Sequence, residues 1–96
     1  MEMDELSLFS RGFFAFQQSR YLATINCLEW LLDKFPETSM RDMALFWLAQ
    51  ACFKVGNLEE AARLMAQFSL EYPDSSDMMY EVDEELMKLA ARYVAE

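Results

Sequence analysis

Apolar residues recur at intervals of three and four along almost the whole chain, and no stretch alternates strictly between apolar and polar positions. Spacing of this kind gathers apolar side chains on one face of an α-helix, whereas strict alternation would indicate a strand. The pattern therefore predicts an all-α protein. We expect about five antiparallel helices, at residues 5–18, 21–34, 40–54, 58–71 and 77–94.

Proline and glycine mark the ends of these predicted helices. Pro36 and Pro73 follow the second and fourth helices, and proline disfavours helix in the residue before it. Between the third and fourth helices, Gly56 can adopt the left-handed conformation that ends a helix. Asn57, with Glu60 three residues later, matches a capping box that would begin the next helix. These signals predict helices paired as hairpins.

The chain also repeats itself with a period of 37 residues. Phe35-Pro36 aligns with Tyr72-Pro73, and Phe16 aligns with Phe53. A fixed period of 20 to 50 residues is typical of stacked helical units that bury a shared core. We expect a single domain over residues 1–96, with one repeat at 5–36, a second repeat at 40–73 and a capping helix at 77–94.

Charge and hydropathy exclude several classes of partner. The net charge is −9, and from Glu71 onward eight acidic residues stand against two basic ones. Such a surface repels the phosphate backbone of a nucleic acid and an anionic membrane. No segment approaches the roughly 20 apolar residues that span a bilayer. We therefore expect no nucleic-acid partner and no insertion into a membrane.

Candidate catalytic chemistry is sparse. The chain has no histidine for general base catalysis, no nucleophile elbow and no phosphate-binding glycine loop. The acidic run at 81–85 lacks the glycine turn and ligand spacing of a calcium site, so we interpret it as a solvated helix face. Cys27 and Cys52 lack metal-site spacing and are better interpreted as two buried thiols than as a disulfide. We expect no enzyme activity, no metal and no cofactor.

The spacing of small residues resembles the tetratricopeptide repeat. The first half keeps Gly12 and Pro36 but departs from the pattern at Arg11 and Thr24. The second half matches it at Leu45, Leu48, Ala49, Cys52, Gly56, Ala61, Met65 and Pro73. The two Phe/Tyr-Pro-x-Ser/Thr-Ser junctions and the block Ala44–Ala49 are similar to bacterial envelope proteins of this family, the Tol-Pal-associated periplasmic protein and the outer-membrane assembly lipoproteins. The resemblance implies a right-handed stack of helical hairpins. As the sequence stands we expect a cytoplasmic protein, or a periplasmic one if it is excised from a longer envelope protein.

The resemblance also implies that the first helix of each pair lines a concave groove that binds peptides. Related repeats use lysine and asparagine there to clamp a terminal carboxylate, whereas this chain has Phe9, Phe13, Phe46 and Gln50. An apolar groove with methionine suits a hydrophobic peptide or an amphipathic helix, and the acidic rim favours a basic flank on that ligand. For any one aromatic residue, packing in the core remains the alternative. The candidate groove residues are Leu6, Phe9, Phe13, Phe16, Gln17, Met43, Phe46, Gln50, Phe53, Lys54, Tyr80, Asp83 and Met87.

These observations favour a noncatalytic protein-interaction module or adaptor. Two alternatives remain open. One is self-association, in which a second copy covers the groove or an end of the stack, and light scattering would detect it. The other is a small acidic secretion-chaperone-like protein that protects a hydrophobic export substrate, and co-purification with such a partner would support it.

Overall fold

The computed structural model describes residues 4–74 and 83–95, which form five α-helices and no strand. The prediction of an all-α fold is confirmed. The first four helices agree with their predicted bounds to within one residue, and Asp83 precedes the fifth helix. The predicted residues 77–82 of that helix lie outside the described part. The helices are α1 (Glu5–Gln17), α2 (Tyr21–Lys34), α3 (Arg41–Lys54), α4 (Leu58–Glu71) and α5 (Glu84–Ala95).

The helices form a stack of hairpins. α1 packs mainly on α2, α3 packs on both α2 and α4, and α5 packs on α4. One continuous core runs through the stack and includes residues of all five helices. As the middle element, α3 has eight buried residues, distributed around most of its circumference.

The close approach of α1 to α2 depends on Gly12. A Cβ atom at this position would lie 2.9 Å from Leu28 Cδ2 and 3.3 Å from Cys27 Cβ. Thr24, where the chain departs from the repeat pattern, is fully buried at the same crossing and donates from Oγ1 to the Gly12 carbonyl at 3.0 Å. The buried hydroxyl is therefore paired, which removes the cost that an unpaired polar group would carry.

The two hairpin turns have the same backbone geometry, 37 residues apart. Arg20 N donates to Ala15 O at 2.8 Å, and the equivalent Asn57 N donates to Cys52 O at 2.9 Å. Within these turns Ser19 has φ 62° and Gly56 has φ 87°. The first turn therefore adopts the left-handed conformation although it lacks glycine.

The predicted capping box at the start of α4 is wrong. Asn57 is the residue before the helix, but its side chain makes no capping hydrogen bond and its ψ of 74° is far from the extended backbone usual at that position. The carboxylate of Glu60 pairs instead with the Arg63 guanidinium one turn later. The Arg63 guanidinium and the Asn57 backbone amide compete for this carboxylate, and in the structure Arg63 is its partner.

The two turns provide a matched pair of substitutions. We expect Ser19→Gly to raise the free energy of unfolding by up to about 1 kcal/mol, because it relieves a left-handed conformation in a residue with a Cβ atom. Gly56→Ser should lower it by about 1 kcal/mol for the same reason, although nothing lies within 4 Å of a Cβ added there. Thermal unfolding followed by circular dichroism would measure both. Changes of the same sign in the free energy of unfolding of the two variants would contradict this explanation of the turns.

Candidate functional site

An aromatic cluster joins α1 to α3. Phe13 and Phe16 of α1 contact the Trp47 ring of α3, with ring centroids 5.2 Å and 4.9 Å away. Phe9 stacks on Phe13 at 6.0 Å, and Phe46 packs edge-on against Trp47 at 5.0 Å. We call these five residues the α1/α3 seam.

Helical spacing explains why each helix contributes a stripe to this seam. Phe9, Phe13 and Phe16 follow one another at intervals of four and three residues, which places them on one face of α1. On α3, Met43 and Trp47 stand four residues apart and therefore share a face. The two stripes meet because α1 and α3 contact each other directly.

The seam has a buried floor and a partly exposed surface. Phe46 is only 1% exposed and its ring also packs against Phe68 of α4 at 5.6 Å, so it is a core residue that forms the buried floor of the seam. Phe9 is buried as well, whereas Phe13, Phe16 and Trp47 are half-buried. A ligand on this surface would therefore meet the half-buried rings first.

Exposed side chains border the seam. Leu6 is 65% exposed and lies one turn before Phe9, and Met43 is 36% exposed and lies one turn before Trp47. Gln17 and Lys54 are exposed at the C-terminal ends of α1 and α3, whereas Leu6 and Met43 lie near the N-terminal ends of these helices. A shallow depression of about 470 Å³ lies against the α1 side, lined by Phe9, Ser10, Arg11, Phe13, Phe14 and Gln17.

The remaining predicted groove residues lie apart from these ring contacts. Phe53 is half-buried near the end of α3, and Met87 is half-buried on α5; both pack against the core. Asp83 is exposed before α5, and Tyr80 lies outside the described residues. Among the described residues, the ring contacts of the seam do not extend to α5.

Sequence reasoning missed Trp47, which is the residue that links the two stripes. Its position contained a usable signal, since it lies four residues after Met43 and three before Gln50, both predicted to face the groove. Gln50 itself is only 6% exposed, and its Nε2 atom has no hydrogen-bond partner among the described residues.

A larger depression, of about 670 Å³, lies between α2 and α4 and includes the exposed Trp30. Its arginines are already paired. Arg41 binds both carboxylate oxygens of Glu71, at 2.8 and 3.0 Å, and this contact lowers the pKa of Glu71. Arg63 pairs with Glu60. Because these charges compensate one another, the depression has no evident preference for a charged ligand.

Cys27 and Cys52 are free, and burial raises the pKa of the Cys52 thiol to about 11, so this thiol stays protonated near neutral pH. Within residues 4–74 and 83–95, no group of three potential ligands could hold a metal ion. No helix in the same ranges is long and apolar enough to cross a membrane.

One comparison with known proteins gives a match. A family model described as YfiO, outer membrane lipoprotein, matches residues 1–83. This match confirms the resemblance to bacterial envelope proteins of the tetratricopeptide type that the sequence indicated. No curated protein and no solved structure matches significantly.

Proposed function

The chain belongs to the YfiO family of outer membrane lipoproteins, and from that membership we propose that it is a noncatalytic module that binds another envelope protein through the α1/α3 seam. A protein-interaction role agrees with the family and with a stack of helical hairpins, whose extended surfaces commonly bind partners. The ligand is a hydrophobic peptide or an amphipathic helix.

The partial exposure of the seam supports this proposal most directly. Phe13, Phe16 and Trp47 are half-buried between two helices, and the apolar side chains of Leu6 and Met43 are exposed beside them. Aromatic rings anchored in this way lose little conformational entropy on binding and are typical hot spots of interfaces. A methionine at the edge can repack around ligands of different shape.

Charge supports a basic flank on the ligand. The chain carries a net charge of −9, and Asp83, Glu84 and Glu85 are exposed at the start of α5. A ligand whose apolar centre covers the seam and whose flank carries lysine or arginine would be attracted to this acidic end. Phe53 and Met87 remain proposed members of the surface at its C-terminal end.

Selection from a random library of 12-residue displayed peptides tests the proposal. We expect the wild-type chain to select peptides with bulky apolar residues next to lysine or arginine. Phe13→Ala should weaken binding of the tightest selected peptide by tens of fold, since a buried aromatic anchor contributes about 2 kcal/mol or more. Fluorescence anisotropy of the labelled peptide would measure the affinity.

Leu22→Ala is the matched control, because Leu22 is an exposed apolar residue on α2 and is not one of the seam residues. We expect this variant to bind the peptide like the wild type. Equal losses of affinity in Phe13→Ala and Leu22→Ala, or a selection that yields no peptide, would contradict the proposal.

Light scattering on the free chain tests self-association. A dimer that Phe13→Ala dissociates would assign the seam to a second copy instead.

A further inference from the structure

Gln50 is the one polar residue among the predicted groove residues of α3 that the fold buries. It lies three residues after Trp47 and four before Lys54, on the least buried face of the helix. Yet its side chain is only 6% exposed, and Nε2 has no hydrogen-bond partner among the described residues. Buried polar groups are nearly always paired, and an unpaired one destabilises the fold. The unpaired amide therefore requires an explanation.

Packing alone does not require glutamine at this position. The equivalent residues one period away are Phe13 and Met87, and both are apolar. Both are half-buried on the first helices of their units. A methionine of similar length would fill the space of Gln50 without an unpaired donor, so the amide is available for a contact that the described residues do not provide.

We propose that Gln50 selects an extended peptide by donating a hydrogen bond from its side-chain amide to a main-chain carbonyl of the bound segment. This inference rests on the proposed function of the seam and deepens it. Every peptide carries main-chain carbonyls, and a polar group placed within an apolar site helps to orient its ligand. The neutral amide needs no charged group on the peptide.

The same contact distinguishes the two ligands left open above. Inside an α-helix the carbonyls already accept hydrogen bonds from amides four residues later, and only those of the last turn are free. An extended segment keeps its carbonyls available along its whole length. Gln50 therefore favours an extended hydrophobic peptide over an amphipathic helix.

The amide nitrogen is covered in the free chain, so binding requires the side chain to turn toward the ligand. Glutamine has three side-chain torsions that permit this movement. Met43, two turns earlier on the same face, is exposed and flexible enough to adjust. The movement exchanges an unpaired donor for a paired one, which favours the bound state.

Gln50→Met is the sharpest test, since it preserves the length of the side chain and reproduces the residue at position 87. We expect its melting temperature to rise by a few degrees, because the unpaired donor is removed. The affinity for the tightest 12-residue peptide selected on the wild-type chain should fall about tenfold or more. A Gln50→Leu variant repeats the test with a second apolar side chain. Unchanged affinity in both variants, or a lower melting temperature in Gln50→Met, would overturn the proposal.

Ester substitution in the same peptide identifies the acceptor. Each amide of the peptide is replaced in turn by an ester, which weakens the carbonyl as an acceptor. We expect one position at which the ester reduces affinity for the wild-type chain but not for Gln50→Met. The absence of such a position would overturn the role of Gln50 while leaving the seam as the binding surface. A selection that yields no peptide, by contrast, would count against the proposed function itself.

Discussion

Phe46→Ala should lower the free energy of unfolding by about 3 to 5 kcal/mol, because removing a large buried ring loses its transfer free energy and leaves a cavity. The Phe46 ring is almost inaccessible to solvent and contacts both Trp47 and Phe68. A domain of this length has only about 5 to 14 kcal/mol of stability in total. Denaturation in urea, followed by circular dichroism, should therefore show that the variant unfolds at a much lower urea concentration than the wild type.

Phe14→Ala is the matched control for this measurement. Phe14 is also a phenylalanine within a helix, but it is 60% exposed on α1. We expect its substitution to change the free energy of unfolding by no more than about 0.5 kcal/mol. Similarly small changes in the free energy of unfolding of the two variants would show that Phe46 is not part of the core. Phe46 would then be assigned to the binding surface.

Leu86→Asp should detach α5 from the stack. Leu86 is fully buried and belongs to the same core cluster as Met65 and Phe68 of α4. A carboxylate without a partner in that position costs several kcal/mol, so the helix would leave the core rather than bury the charge. We expect a lower melting temperature, together with binding of an apolar dye to the exposed face of α4.

Ala91→Asp is the control, since Ala91 is exposed on the same helix and the substitution adds the same charge. We expect it to leave melting and dye binding nearly unchanged. The comparison tests our proposal that residues 5–36 and 40–73 form two repeats that α5 caps. If Leu86→Asp were as stable and as soluble as Ala91→Asp, α5 would be an appendage and not a cap.

Local signals were sufficient to predict the helices. The spacing of apolar residues and the positions of Pro36, Gly56 and Pro73 predicted the first four helices to within one residue. Helix formation and termination depend on residues within about one turn of each other, so a single sequence contains the necessary information. The 37-residue period added the pairing of helices into hairpins, because equivalent segments take equivalent places in a stack.

The tertiary structure decided which groups pair and which are covered. Ser19 adopts the left-handed turn conformation because the hairpin closes around it in the same way as around Gly56. A serine in the sequence does not by itself predict that conformation. Glu60 pairs with Arg63 instead of capping α4, and Thr24 is tolerated because the Gly12 carbonyl accepts a hydrogen bond from its hydroxyl. Each outcome depends on which of several neighbouring groups pairs with a given side chain, and the sequence alone does not show which partner is preferred.

The same distinction separates the half-buried rings of the seam from its buried floor. Phe13 and Phe46 are both phenylalanines on first helices and were both predicted to face the groove, yet one is half-buried and the other is covered almost completely. Helical periodicity determined the direction in which each ring points from its own helix. Burial depends on how many other helices stand in that direction: α3 packs on both α2 and α4, whereas among the described residues α1 packs mainly on α2. Contacts between residues far apart in the chain, such as Phe46 with Phe68, therefore decided what the spacing of apolar residues could not.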